Sequence, residues 1–96
     1  MTQNLKKIVS NPKFSVVIPT YNRARDIPRC LDSLVLQELQ DFEVLICDDG
    51  STDDTASVVE NYSHLLDITY SYGENSGGPA RPRNRGISLA NAPYIA

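Results

Sequence analysis

The sequence predicts an α/β fold, a parallel sheet with flanking helices in the order βαβαβ, loop, α. Three observations predict it. Two short apolar runs rich in β-branched residues, 14–18 and 43–47, each stop abruptly at a polar cluster, as buried strands do where they deliver side chains to a ligand at their carboxyl ends. Between and after them the apolar spacing changes to the 3.6-residue period of helices. Strands and helices that alternate in this way are joined by right-handed crossovers, which bring all the strand carboxyl ends to one edge of the sheet.

Each element has its own local reason. Residues 1–13 are polar and weakly patterned and read as a flexible leader that ends at Asn11 and Pro12. Strand one covers 14–18, and Pro19, which has no N–H for the ladder, is expected to close it. Helix one follows Asp26 as N-cap, tolerates Pro28 in its first turn, and places Ile27, Cys30, Leu31, Leu34 and Val35 on one buried face. Strand two is 43–47. Ser51 and Asp54 have capping-box spacing at the head of helix two, expected to reach about Tyr62 with Ala56, Val58 and Val59 inward. Residues 67–72 alternate polar and apolar, giving strand three with Ile68, Tyr70 and Tyr72 on one face. A turn cluster over 73–79 precedes a helix over 81–91, and Tyr94, Ile95 and Ala96 begin a fourth strand.

Composition narrows the function. With 96 residues the chain forms one small domain and not two. A net charge of −3 argues against a general nucleic-acid binder. No apolar run approaches the roughly 20 residues of a membrane span, and the region around Lys6 and Lys7 lacks a signal-peptide core, so the chain reads as cytoplasmic. In that reducing setting Cys30 and Cys47, both inside apolar patterns, read as buried free thiols. All six arginines fall in two clusters at loop-to-helix junctions, Arg23, Arg25 and Arg29, then Arg81, Arg83 and Arg85. Such clusters suit a diphosphate better than a polyanion. His64, the only histidine, stands beside Leu65 and Leu66 and reads as a packing or surface residue.

Three segments can carry chemistry. Pro19 makes a stiff turn that presents Tyr21 for stacking on a planar base, with Thr20 and Asn22 as hydrogen-bonding groups. Asp48 and Asp49 are adjacent carboxylates at a strand end, tolerated where a donor-rich ligand, a metal or cations compensate their repulsion. One carboxylate suits the N3–H of uracil or thymine, while its neighbour reaches a ribose hydroxyl or supports the turn. The competing role is helix capping, which suits Asp53 and Asp54, whereas Asp48 stands too early for it. Gly77 and Gly78 allow close backbone approach to a ligand, and the arginine-rich helix start beyond them favours phosphate oxygens.

Taken together, the segments from Pro19 to Arg23, Asp48 to Ser51 and Asn75 to Ile87 resemble the start of the inverting family 2 glycosyltransferases of GT-A fold, which use nucleotide-diphosphate sugars. The resemblance covers Phe14 to Ala96 and implies a partial GT-A, Rossmann-like fold. By resemblance Pro19, Thr20 and Tyr21 line the base and ribose, Asp49 is the first choice for the base contact and Asp48 the second. Arg23, Gly78, Arg81 and Arg83 complete the substrate-binding set, with Arg83 at the family's arginine position. Pro82 replaces a common alanine and Arg81 is extra, which leaves open which arginine meets the diphosphate. Tyr21, Asp49 and Arg83 are expected to converge along one edge of the sheet.

The resemblance also implies transfer from a UDP- or dTDP-linked donor to a hydroxyl of a glycan or lipid-linked acceptor, with inversion, in polysaccharide or glycan biosynthesis. The Asp-x-Asp motif for Mn or Mg and the catalytic carboxylate are expected beyond Ala96. On that expectation 14–96 is an incomplete donor-binding portion, inactive alone and without a metal of its own, whose exposed sheet edges favour self-association. Two other readings compete. A dinucleotide-binding domain needs G-x-G-x-x-G after strand one, yet the first glycine is Gly50. A non-catalytic α/β interaction module needs an acidic cluster after strand one, where Thr20, Tyr21 and Asn22 stand instead.

Overall fold

Both faces of the sheet are loaded with apolar side chains, so the chain must cover both. A computed structural model describes residues 5–96; residues 1–4, part of the expected leader, lie outside the described residues. The elements are β1 (Phe14–Thr20), α1 (Ile27–Val35), β2 (Phe42–Asp48), α2 (Thr55–Glu60), β3 (Ile68–Tyr72), α3 (Ala80–Leu89) and β4 (Tyr94–Ile95). All strand pairs are parallel, in the order β3-β2-β1-β4. Register aligns Val16, Val44 and Ile68 across three strands, and Thr20, Asp48 and Tyr72 at their carboxyl ends.

On one face Val16, Ile18, Val44, Ile46 and Ile68 pack with Ile27 and Leu31 of α1 and Val59 of α2. Each such aliphatic side chain, fully buried, contributes about 1.5–3 kcal/mol. On the other face α3 lies against β1 and β2. The approach there is close: a Cβ on Gly86 would sit 2.5 Å from Val17 Cγ1 and 2.7 Å from Cys47 Sγ. β2, flanked by strands on both edges and covered on both faces, is buried at every residue. The chain moves outward from β1 to β3 and then returns to β4 on the far side of β1. Right-handed crossovers in opposite directions put the helices on opposite faces, and the reversal opens a crevice at the carboxyl ends beside β1.

Several expectations are corrected. Pro19 does not close β1, which continues to Thr20 paired with Asp48. The reason is alternation. Val17 donates to Ala96 O on the β4 side while Thr20 accepts from Asp49 on the β2 side. The missing donor of Pro19 thus faces the β4 side, beyond the last bond made there, and no ladder bond is lost. Cys30 is exposed, unlike buried Cys47; at 3.6 residues per turn it falls roughly a quarter-turn from the centre of the Ile27, Leu31, Leu34, Val35 stripe.

The start of helix two is also corrected. Ser51 and Asp54 form no capping box: the Ser51 hydroxyl accepts from Asn22 N, and Asp54 makes no side-chain cap bond. Asp53 instead accepts from the amide and hydroxyl of Thr55. In this shorter helix Thr55 and Val59 face inward and Ala56 is exposed. Residues 5–13, read as a leader, carry no helix or strand, yet Lys7 N donates to Ser63 O at 2.8 Å and Val9 N to Asp67 Oδ2 at 3.0 Å. No helix among the described residues is long and apolar enough to cross a membrane.

A buried carboxylate ties the α3–β4 connection to the sheet. Glu43 accepts from Ser15 Oγ at 2.6 Å, Asn91 N at 2.7 Å and Asn91 Nδ2 at 3.1 Å, and Ser15 Oγ accepts from Ala92 N. Burial pushes this carboxyl up, but hydrogen bonds from Ser15, Asn91 and Ala92 outweigh burial and hold it below its ordinary value. A depressed carboxyl contributes stability above its unfolded value, near 4.3, that is lost as pH falls through the folded one. Glu43→Gln should therefore cost about 1–3 kcal/mol at neutral pH, and its unfolding free energy should converge on that of the unsubstituted protein below about pH 4. In urea melts Gly86→Ala should cost about 1–3 kcal/mol, because a methyl has no room between α3 and the strands.

Candidate functional site

Two loops meet where β1 and β2 end. Asp49 N donates to Thr20 O at 2.8 Å, one step past the β1–β2 ladder, so the Thr20–Tyr21 turn and the Asp49 loop start side by side. Asp49 is 4% exposed. Its Oδ1 accepts from Ser76 Oγ at 2.8 Å, and Ser76 N lies 3.0 and 3.1 Å from the two carboxylate oxygens, leaving Oδ2 the less occupied. Asn75 Nδ2 donates to Asp49 O at 3.1 Å. Gly50 lets the loops approach this closely: its φ is +88°, and a Cβ there would lie 2.7 Å from Asn75 N.

These contacts frame a cleft of about 460 Å³, within the range of small-ligand sites. Pro19, Thr20, Tyr21 and Arg23 line it from the β1 end and Asp49 from the β2 end, with Asn75, Gly77, Gly78, Pro79 and Pro82 opposite. Tyr21 is 47% exposed, leaving ring surface free for stacking. Thr20 is 6% exposed, and its Oγ1 is the one buried side-chain polar atom without a partner among the described residues. An unpaired buried hydroxyl costs about 1–3 kcal/mol; this one shares the side of Asp48, its partner in the ladder, and presents no surface to the cleft.

The sequence-derived residues do not all come together. Asp48 is fully buried and outside the cleft lining; Oδ1 accepts from Ser51 N at 2.9 Å and Oδ2 from the Tyr70 hydroxyl. Burial, and then the Asp48 carboxylate, push the Tyr70 phenol well above its ordinary value. Arg81 and Arg83 are exposed on the first turn of α3, which opens at the same edge of the sheet as Tyr21 and Asp49, but neither lines the cleft, as Pro82 between them does. Arg23 does line it, 3.6 Å from Asp26. Arg85 turns beneath the site: Nε donates to Ser71 Oγ at 2.8 Å and Nη2 to Asp48 O at 3.0 Å and Ser71 O at 3.1 Å. Sequence reasoning missed Asn75, Ser76 and Pro82 as site residues. Gly50 was the available signal, since a glycine after two carboxylates marks close approach of another backbone.

A parallel sheet with its cleft at the strand-order reversal, edged by a carboxylate, a tyrosine and a glycine pair, defines an α/β unit of the GT-A kind. The chain belongs to glycosyl transferase family 2, whose sequence model matches residues 15–96. It is 50% identical over 88 residues to validoxylamine A glucosyltransferase of Streptomyces hygroscopicus subsp. jinggangensis, covering 88% of this chain and 21% of that protein. It is 43% identical over 86 residues to the poly(ribitol-phosphate) beta-N-acetylglucosaminyltransferase TarS of Staphylococcus aureus, covering 86% and 15%. The chain thus spans about a fifth or less of these relatives' length. The crystal structure of TarS 1–349 in complex with UDP-GlcNAc superposes with a TM-score of 0.84 at 42% identity, over 86% of this chain and 25% of that one. The mannosyltransferase PcManGT of Pyrobaculum calidifontis, in complex with GDP-Man and Mn2+, gives 0.73 at 31% identity, over 85% and 25%.

Asp48→Asn should separate the floor of the site from its wall. Losing the charged acceptor should cost about 1.5–3 kcal/mol in denaturant unfolding and bring the Tyr70 phenol down toward its ordinary value in a spectrophotometric titration. A phenol that does not move would show that Asp48 is not its partner in solution.

Proposed function

We propose that these residues form the donor-binding part of a glycosyltransferase that moves a sugar from a UDP- or dTDP-linked donor to an acceptor hydroxyl, with inversion, in polysaccharide or glycan biosynthesis. The observation that carries this reading is the cleft at the strand-order reversal, which the Asp49 carboxylate and the half-exposed Tyr21 ring line together. A nucleoside supplies what both call for: a ring N–H for Asp49 and a flat face for Tyr21. The TarS structures with UDP-GlcNAc and UDP support uracil as the base. On this reading the diphosphate lies toward the Gly77–Gly78 turn, on the cleft wall opposite the base, with Arg23 reaching it from the β1 end.

A divalent metal accompanies the donor in PcManGT, and we extend that requirement to the whole enzyme here. The described residues gather no group of three or more His, Cys, Asp or Glu side chains able to hold one, so no step through a metal follows from them. Their contribution is to bind the donor, fix its base and shield it from water.

Two substitutions test the reading by calorimetric titration with UDP, dTDP, GDP and NAD. Asp49→Asn keeps an acceptor for Ser76 but turns one carboxylate oxygen into a donor facing the base. UDP affinity should fall roughly ten- to a hundredfold, or 1.5–3 kcal/mol. Unchanged affinity would remove Asp49 from the site, and tighter binding of NAD than of UDP would favour a dinucleotide-binding domain. Thr20→Val deletes the unpaired buried hydroxyl, so stability should hold or rise by up to about 1 kcal/mol while UDP affinity stays within about twofold. It is the control beside Asp49→Asn, whose loss should fall on binding.

A further inference from the structure

Asn22 lies between the two loops of the cleft and belongs to neither its lining nor its floor. Its backbone is left-handed, φ +50°, a conformation asparagine tolerates better than most side chains. Its N–H donates to Ser51 Oγ at 2.7 Å, and its Oδ1 accepts from Thr52 N at 2.7 Å and Asp53 N at 3.3 Å. One residue pair further on, Ala24 N donates to Asp53 Oδ2 at 3.1 Å. These four bonds all run from the loop after β1 to the loop after β2. One loop carries Tyr21 immediately before Asn22, and the other carries Asp49 two residues before Ser51.

From this arrangement we infer that Asn22 is a positioning residue: its carboxamide locks the tyrosine turn and the aspartate loop into a single nucleobase clamp. The inference rests on the nucleotide-sugar reading above and adds a residue that meets no ligand. The physical basis is preorganisation. Stacking surface and charged acceptor recognise one flat base only at a fixed separation, and each loop tip left free would have to be ordered on binding. The ladder alone stops at the Asp49 N to Thr20 O bond, so beyond it the separation depends on these cross-loop bonds.

The test is a double-mutant cycle read as UDP affinity, with thermal melts and amide exchange on the same proteins. Asn22→Gly keeps the left-handed backbone and removes the carboxamide, whereas Asn22→Asp keeps the acceptor. UDP affinity should fall about tenfold in Asn22→Gly and stay within about twofold in Asn22→Asp. In a Tyr21→Ala background Asn22→Gly should change affinity less than threefold, because no ring remains to be positioned. Amide exchange at Thr52 and Asp53 should quicken in Asn22→Gly alone. Lower melting temperature with unchanged UDP affinity, or a tenfold loss that persists without Tyr21, would overturn the inference and leave Asn22 a structural residue. Failure of the unsubstituted protein to bind UDP would overturn the functional reading itself, before any substitution at Asn22 is made.

Discussion

The bond from Asp49 N to Thr20 O is the constraint on which the cleft depends. Parallel strands cannot be joined by a tight turn, so each must cross over through a helix and start again at the same end. When β1 and β2 pair in register from Phe14 opposite Phe42 to Thr20 opposite Asp48, their loops emerge together. That single extra rung brings a tyrosine turn and a carboxylate loop, far apart in sequence, into one wall. A one-residue slip would exchange the core and α3 faces of the strand and move Asp49 away from Thr20.

Beneath the cleft, polar groups are fixed rather than offered. Asp48 holds Ser51 N and the Tyr70 hydroxyl, while Arg85 spans Ser71 and the Asp48 carbonyl. Planar guanidinium geometry lets one side chain bracket the ends of β2 and β3. The adjacent aspartates thus have different tasks set by strand alternation: successive side chains point to opposite sides, so one supports the floor and the other faces the cleft. Their mutual repulsion is offset by separate sets of donors, Ser51 and Tyr70 for one and Ser76 for the other.

Thr20 and Glu43 bury polar groups in opposite ways. The Thr20 hydroxyl, without a partner, works against the fold and is carried by an apolar core in which Val44, Ile46 and Leu31 are fully buried. Glu43 shows the opposite case, a buried carboxylate whose donors are all internal and whose work is to hold the α3–β4 connection.

Much of this was legible in the sequence. Period-two and 3.6-residue patterns set the order of strands and helices, and the polar clusters after 14–18 and 43–47 marked the carboxyl edge, Tyr21 and Asp49 included. These features depend on near neighbours, where burial and backbone preference act together. The length of β1 past Pro19, the exposure of Cys30, the separation of Asp48 from Asp49 and the lining of the cleft by Pro82 without Arg83 were decided only by tertiary structure. Each depends on what lies across from a residue: an absent ladder partner at Pro19, the rim of a helix stripe at Cys30, Tyr70 beside Asp48, and a helix whose Pro82 rather than Arg83 turns to the cleft. Local pattern says which side chains leave the water, but only the packed chain decides which partner each one meets.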